Sequence, residues 1–167
     1  MMTLKLLAVR IIYRLKGFFE NPVELFKALG IESDDYILEI GCAIGYHSFA
    51  LAKVATNGKI YAVDIWEEGL KHLKRKIKPG QNIEIIHSRA ETVDLPQSSV
   101  DRIVCFDTLH EVPGFEDTLQ KWIEFLKEGG TFCYRDPEIS AQKIVEISRS
   151  KLTKGDTIKG VHIFVKS

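Results

Sequence analysis

The 167-residue sequence lacks an excess of charge of either sign, because 23 lysines and arginines balance 23 aspartates and glutamates. Nonspecific binding to nucleic acid through its phosphates requires a basic excess, so the composition argues against a nucleic-acid partner. Cysteine is also scarce, and Cys42, Cys105 and Cys133 are scattered with no CxxC spacing. This pattern indicates neither a metal site nor a disulfide framework, and it favours reduced thiols in a cytoplasmic protein.

Long apolar runs are missing as well. Arg10 and Arg14 interrupt the segment 4–16, which is shorter than the roughly 20 apolar residues of a spanning helix. No small-residue cleavage site follows it, so a signal peptide is not indicated. On a helical wheel this segment has a narrow apolar face and a wide one; the narrow face holds Leu6, Val9 and Tyr13, and the wide one holds Leu4, Leu7, Ala8, Ile11, Ile12 and Leu15.

Two interpretations of residues 4–16 stay open. A helix packed on the domain, or a lid over a cavity, is the favoured one, since most amphipathic helices pack on their own protein. A weak contact with a membrane surface is the alternative, because the segment is basic and no acid precedes Glu20.

The length fits a single domain over 1–167, with an N-terminal helical segment at 1–29 and a core at 30–167. Apolar runs and turn residues alternate through this core. They predict strands at 36–40, 59–63, 82–86, 100–106 and 131–134, helices at 23–29, 46–55, 67–77, 115–127 and about 138–149, and a closing strand or hairpin after Leu152. We expect Gly129-Gly130 to end the helix before the fifth strand. This order predicts an α/β protein with a mostly parallel sheet.

A glycine-containing loop, Gly41-Cys-Ala43-Ile-Gly45, lies between the first predicted strand and the next helix. Small residues there allow a ligand to approach the backbone, and the helix N-terminus offers free N–H groups. About 20 residues later Asp64 ends the second strand, where a carboxylate accepts hydrogen bonds from both hydroxyls of a ribose. Ile65 and Trp66 follow it, and either could contact a purine ring or pack in the core.

Four segments in this order resemble the motifs of class I S-adenosylmethionine-dependent methyltransferases, in particular the ubiquinone and menaquinone branch. They are ILEIGCAIGYHSFALA, IYAVDIW, SRAETVDLPQSSVDRIVCFDTLHEV and FLKEGGTFCYRD. The resemblance covers roughly 30–167. It implies a Rossmann-like, doubly wound, mostly parallel sheet with helices on both faces and an antiparallel C-terminal strand. It also implies S-adenosylmethionine as cofactor and methyl transfer to a small-molecule acceptor.

The resemblance assigns roles residue by residue. Glu39 would contact the methionine end of the cofactor directly or through water, and the loop with Gly41, Cys42, Ala43 and Gly45 would wrap it. Asp64 would bind the ribose, and Ile65 would contact the adenine. Ala90 would read the adenine edge through its backbone N–H, with Arg89 beside it, and Asp107 would lie near the methionine moiety or the acceptor.

Two positions depart from the pattern. The family usually has glycine where Ala43 stands, and it often has an acid at the position of Arg89, whose guanidinium cannot accept a hydrogen bond. The candidate catalytic residues are His110, whose ordinary pKa is near neutrality, and Asp107; His47 and Glu111 are further candidates.

Two other functions remain alternatives. A non-catalytic methyltransferase-like partner subunit is suggested by Ala43, Arg89 and the small size. An NAD-linked oxidoreductase shares the glycine loop and the ribose-binding acid, but the sequence has no Tyr-x-x-x-Lys pair and no second catalytic domain. The oligomeric state does not follow from the sequence.

Overall fold

The structure is a computed structural model that describes residues 3–167, apart from the side chains of 16–19. The helices in this part of the chain are α1 (Leu4–Phe19), α2 (Pro22–Ala28), α3 (Tyr46–Val54), α4 (Glu67–Lys76), α5 (Phe115–Phe125) and α6 (Ala141–Ile147), with a single 3-10 turn at Leu109–Glu111. The strands are β1 (Tyr36–Ile40), β2 (Lys59–Asp64), β3 (Ile83–His87), β4 (Val100–Phe106), β5 (Leu126–Arg135), β6 (Leu152–Ile158) and β7 (Val161–Lys166).

One sheet contains these seven strands in the order β3-β2-β1-β4-β5-β7-β6. The first five strands in that order run parallel, whereas β7 is antiparallel to β5 and β6 is antiparallel to β7. The predicted fold class is therefore confirmed, and the C-terminal tail is a hairpin of two strands.

Both faces of the sheet are covered, which explains why its inner strands are continuously apolar. Neighbouring residues of β1 point to opposite faces. Ile37 packs in the cluster with Phe26 of α2, whereas Leu38 packs in the cluster with Trp122 of α5. Two apolar layers therefore hold the sheet between its helices.

The predicted helix stop at Gly129-Gly130 is wrong. Helix α5 ends at Phe125, because the backbone N–H groups of Ser98 and Ser99 donate to the carbonyls of Glu124 and Phe125. The chain then enters β5, and the two glycines lie where its pairing register with β4 shifts.

Helix α6 is also shorter than predicted. The carboxylate of Asp136 accepts hydrogen bonds from the backbone N–H groups of Glu138 and Ile139, which makes a turn rather than a first helical turn. Ser140 then caps the helix by accepting from the N–H of Lys143.

Helix α1 lies against the body of the protein through its narrow apolar face, on which Leu6 is buried. The hydroxyl and backbone N–H of Thr3 donate to the carboxylate of Glu68, which ties the start of α1 to α4. Within residues 3–167, no helix has the length and apolar character needed to cross a bilayer.

Candidate functional site

A cavity of about 530 Å³ lies at the carboxyl ends of β1, β2 and β4. This edge is where parallel α/β sheets bind their ligands. Of the residues predicted to bind the cofactor, those that border it are Gly41, Ala43, Asp64, Ile65, Trp66, Arg89, Ala90 and Asp107. The fold thus brings most of the predicted site to one place.

The loop between β1 and α3 requires glycine at two positions. Gly41 has a φ of 80°, and a Cβ there would overlap the hydroxyl of Thr108. Gly45 has a φ of 86°, and a Cβ there would overlap Leu73 of α4. Both glycines therefore allow the loop to lie tightly between the end of β4 and α4.

Ala43, the residue that replaces a family glycine, has a left-handed backbone with a φ of 48°. Its N–H donates to Asp64 Oδ2 at 2.7 Å, so the loop is held in this conformation by the end of β2. Left-handed backbone costs a residue with a side chain roughly 1–2 kcal/mol.

Substitution of Ala43 by glycine is therefore expected to stabilise the protein. The free energy regained by relieving the backbone strain is larger than the free energy lost because glycine makes the unfolded chain more flexible. The net gain is about 0.5–1 kcal/mol in the free energy of unfolding. Urea unfolding of Ala43→Gly measures it. Ala52→Gly, the same change inside α3, is the control and should destabilise by about 1 kcal/mol. Equal losses in both variants would contradict the strain at Ala43.

Asp64 connects the loop to the next helix. Its Oδ2 accepts from Ala43 and its Oδ1 accepts from the N–H of Trp66 at 2.8 Å. The carboxylate borders the cavity, and each oxygen keeps a second lone pair for a ligand hydroxyl.

Glu39 lies behind the loop and is buried. Its Oε2 accepts from the hydroxyl of Ser48 at 2.5 Å, whereas Oε1 is a buried oxygen without a partner among the described residues. The pKa of Glu39 is raised to about 7, mainly because the carboxyl is buried; the hydrogen bond from Ser48 opposes this shift, and the charge of Asp64 adds a smaller upward contribution. An unpartnered buried carboxylate oxygen is a natural acceptor for a cationic ligand group.

The side chains of Ile65 and Trp66 border the cavity after β2. Ile65 is exposed, and the ammonium of Lys5 in α1 lies 4.8 Å from the centre of the Trp66 ring. Trp66 therefore also anchors α1 over the site.

The segment after β3 supplies an acid that the sequence analysis did not single out. Glu91 borders the cavity, and the guanidinium of Arg89 donates to its carboxylate at 2.5 Å. A hydrogen bond from its own backbone N–H and the one from Arg89 lower the pKa of Glu91. An acid therefore lies two residues after the position at which the resemblance led us to expect one. The indole N–H of Trp122 fixes the neighbouring carbonyl of Ala90.

The end of β4 is also conformationally constrained. Asp107 has a left-handed φ of 53°, and its N–H donates to the carbonyl of Arg135 at 2.7 Å. Its side chain borders the cavity. Strained backbone of this kind is common at functional sites.

His110 is not part of the cavity wall. It lies in the 3-10 turn, with Nδ1 2.9 Å from the buried carboxylate of Asp136. This hydrogen bond is the main cause that raises the pKa of His110. Glu111, its neighbour, borders the cavity instead.

Helix α1 closes one side of the cavity with Val9, Ile12 and Tyr13. The ring of Tyr13 stacks on Tyr46 with centroids 4.8 Å apart, and it meets His47 edge-on. His47 also contacts Phe106 and borders the cavity. Sequence reasoning placed Tyr13 on the narrow face but did not predict its place in the site, which depends on how α1 docks.

Three residues predicted for the cofactor lie behind the wall rather than on it: Glu39, Cys42 and Gly45. Cys42 packs under the loop with Ala62 and Leu70, and burial raises the pKa of its thiol. Cys42 therefore supports the glycine loop by packing beneath it.

Cys105 and Cys133 are also buried free thiols. Within residues 3–167, no cluster of His, Cys, Asp and Glu has the arrangement of a metal site.

The glycine loop, the acid after β2 and the antiparallel last strands define a class I S-adenosylmethionine-dependent methyltransferase fold. A family model described as a methyltransferase domain matches residues 31–162. The chain belongs to this methyltransferase-domain family, which confirms the resemblance drawn from the four motifs.

Individual relatives agree with this assignment. A demethylmenaquinone methyltransferase from Geobacillus stearothermophilus is 27% identical over 114 residues, which are 66% of this chain and 49% of the relative. The chain thus spans about half the length of the curated relatives it matches. A SAM-dependent methyltransferase from Aquifex aeolicus has the same fold, with a TM-score of 0.76, 22% identity and coverage of 88% of this chain and 90% of that one. A magnesium protoporphyrin IX methyltransferase from Synechocystis, solved with bound SAM, gives a TM-score of 0.70 at 16% identity, covering 87% and 76%.

Proposed function

We propose that this protein transfers a methyl group from S-adenosylmethionine to a small-molecule acceptor. The observation that carries the proposal is the cavity at the strand ends, because Gly41, Ala43, Asp64 and Asp107 all border it. The sulfonium donor arrives already activated, so the protein mainly has to align the acceptor with it and exclude water.

The residues present fit the cofactor. Asp64 would accept from the ribose hydroxyls, and Ile65 and Trp66 would pack on the adenine. Glu39 lies behind the loop and would contact the methionine ammonium directly or through a water molecule, which would give its buried oxygen a partner. Glu91 would accept from the adenine amino group, the role expected of an acid in this segment.

The aromatic side of the cavity supports an apolar or aromatic acceptor. Tyr13, His47 and Phe106 border it, and the contacts among their rings continue to Tyr46 and Phe26. Rings of this kind favour flat, apolar ligands. Demethylmenaquinone, for which several relatives are named, belongs to this class and is a sensible first acceptor.

Among the candidate catalytic residues, Asp107 now comes before His110. Asp107 borders the cavity and is the first choice to take a proton from the acceptor. His47 and Glu111 border it too. His110, held by Asp136, would act only if its ring turned towards the acceptor.

Glu91→Ala is expected to weaken binding of S-adenosylhomocysteine by about 10-fold or more, the effect of one lost hydrogen bond to a carboxylate. S-inosylhomocysteine, which lacks the adenine amino group, should bind the variant and the wild type equally. Calorimetric titration measures both ligands. Arg89→Ala is the control and should have the smaller effect; a larger loss in Arg89→Ala would assign the adenine contact to Arg89 instead.

The function itself is tested in two steps. Calorimetry with S-adenosylhomocysteine and with NAD establishes which cofactor binds. Methyl transfer from methyl-labelled S-adenosylmethionine to a panel of small acceptors, including demethylmenaquinone reduced to its quinol, whose electron-rich ring can attack the methyl group, then tests the reaction. Binding of NAD alone would support the oxidoreductase alternative, and binding of neither ligand would support a non-catalytic partner subunit.

Three further expectations belong to the same proposal. Three free thiols support a cytoplasmic location. The division into a helical segment at 1–29 and a core at 30–167 is supported by α1 and α2 preceding β1. Contact of residues 4–16 with a membrane surface is supported by the exposed apolar side chains of α1.

A further inference from the structure

Helix α1 has apolar side chains on two opposite sides. The inner side contacts the protein and the cavity through Leu6, Val9 and Tyr13. The other side is exposed. Among the described side chains, seven large hydrophobic ones are exposed, and five of them belong to α1: Leu4, Leu7, Ile11, Ile12 and Leu15, with exposed fractions of 41% to 83%.

These five residues form one patch, which we call the outer face of α1; Ile12 lies at its edge and also borders the cavity. Their spacing of three, four, one and three residues places them along one side of the helix. Single exposed leucines need no explanation, but a contiguous apolar patch on a surface marks a binding site.

Charge identifies what this face binds. Arg10 and Arg14 flank the outer face on one side and are exposed, whereas Lys5 lies on the opposite flank. No acidic residue occurs between Leu4 and Phe19. An apolar stripe flanked by the exposed bases Arg10 and Arg14 is typical of a helix that lies in the interface of an anionic bilayer, where the charged ends of the bases contact phosphates and their aliphatic stems lie along the apolar region.

Positive charge continues beyond α1. Burial lowers the pKa of His72 in α4, and so do the charges of Lys76, Arg10 and Arg75, which shows that Arg10 lies near the basic side of α4. Lys74, Arg75 and Lys76 are exposed there. An anionic bilayer attracts each of these bases with a free energy of about 1 kcal/mol.

We propose that α1 docks this protein reversibly onto anionic lipid bilayers. The outer face would enter the boundary between headgroups and acyl chains, and Arg10 and Arg14 would contact lipid phosphates. The inner side of the same helix would stay on the protein, so the cavity would open close to the lipid surface.

Flotation of the full chain with vesicles tests this proposal. The protein should float with vesicles of phosphatidylcholine containing about one third phosphatidylglycerol, not with pure phosphatidylcholine, and about 0.5 M salt should release it. Ile11→Glu should abolish flotation, and Arg14→Glu should reduce it at least about fivefold. Lys53→Glu, the same charge change on α3, is the control and should float as the wild type does.

Three outcomes would overturn the proposal. They are no flotation with either vesicle, equal flotation with neutral vesicles, and a concentration-dependent dimer in sedimentation that Ile11→Glu dissociates without any vesicle binding. The dimer would mean that the outer face joins two copies of the chain. Circular dichroism of each variant checks its fold. Since flotation needs neither cofactor nor acceptor, its failure is distinct from a failure of the proposed methyl transfer.

Discussion

Asp64→Ala is expected to weaken binding of S-adenosylhomocysteine by about 100-fold or more. Two charge-assisted hydrogen bonds to the ribose hydroxyls would be lost, each worth about 1.5–3 kcal/mol. The substitution also removes the acceptor for the N–H groups of Ala43 and Trp66, so the glycine loop loses its connection to β2. Calorimetric titration of wild type and variant measures the effect.

Two controls separate ligand recognition from damage to the fold. Asp64→Asn keeps the shape and one acceptor oxygen, so its loss should lie between those of wild type and Asp64→Ala. Asp101→Ala removes a carboxylate that accepts from the N–H of Tyr36 at the start of β1, away from the cavity. It should leave the dissociation constant unchanged. Unchanged binding by Asp64→Ala would contradict both the ribose role and the cofactor site.

Glu39→Gln is expected to change how stability depends on pH. The pKa of Glu39 is about 7 in the folded protein, whereas the ordinary pKa of a glutamate is 4.5, so the folded state binds this proton more tightly than the unfolded chain does. Its contribution to stability is complete below about pH 4.5 and is lost as pH rises through 7, a change of about 3 kcal/mol. Glutamine has no such proton, so the variant should be more stable than wild type by up to that amount at about pH 8 and similar at about pH 4.5.

Urea unfolding of both proteins across this range isolates Glu39, because the other titrating groups cancel in the difference. Glu32→Gln, the same substitution at an exposed glutamate, is the control. Parallel curves for Glu39→Gln and wild type would show that the buried carboxylate is not protonated near neutrality.

Cofactor binding should lower the pKa of Glu39, whereas burial raises it. A methionine ammonium favours the ionised form of Glu39, so the affinity for S-adenosylhomocysteine should fall as pH drops below about 7 and protons should be released on binding. In Glu39→Gln the affinity should be lower and less dependent on pH. Calorimetry in buffers of different ionisation enthalpy counts the protons.

The parallel part of the fold was predictable because each of its strands is a short apolar run bounded by turn residues. Gly41 directly after β1 and Asp64, the last residue of β2, mark the strand ends at which the cavity forms. The failures came where tertiary contacts override local signals. Glycines 129 and 130 are strong helix stops, yet the amides of Ser98 and Ser99 end α5 earlier.

The residues of the candidate site also differ in whether local sequence or tertiary contacts decide their positions. Residues on strand ends, such as Asp64 and Asp107, could be placed from topology alone. Tyr13 could not, because its position depends on how α1 docks, and Glu91 could not, because its orientation depends on the ion pair with Arg89. The direction of the His110 ring is likewise decided by Asp136, 26 residues away in the chain.

The last strand of the sheet, β6, has a consequence for solubility. It is the edge next to β7, and Thr153, Lys154, Asp156 and Thr157 along it are exposed. Its register with β7 shifts between Lys154 and Thr157. Charged side chains and an irregular backbone both oppose the addition of a strand from another molecule. The C-terminal hairpin therefore protects the apolar strand β5 from becoming an edge at which aggregation could begin.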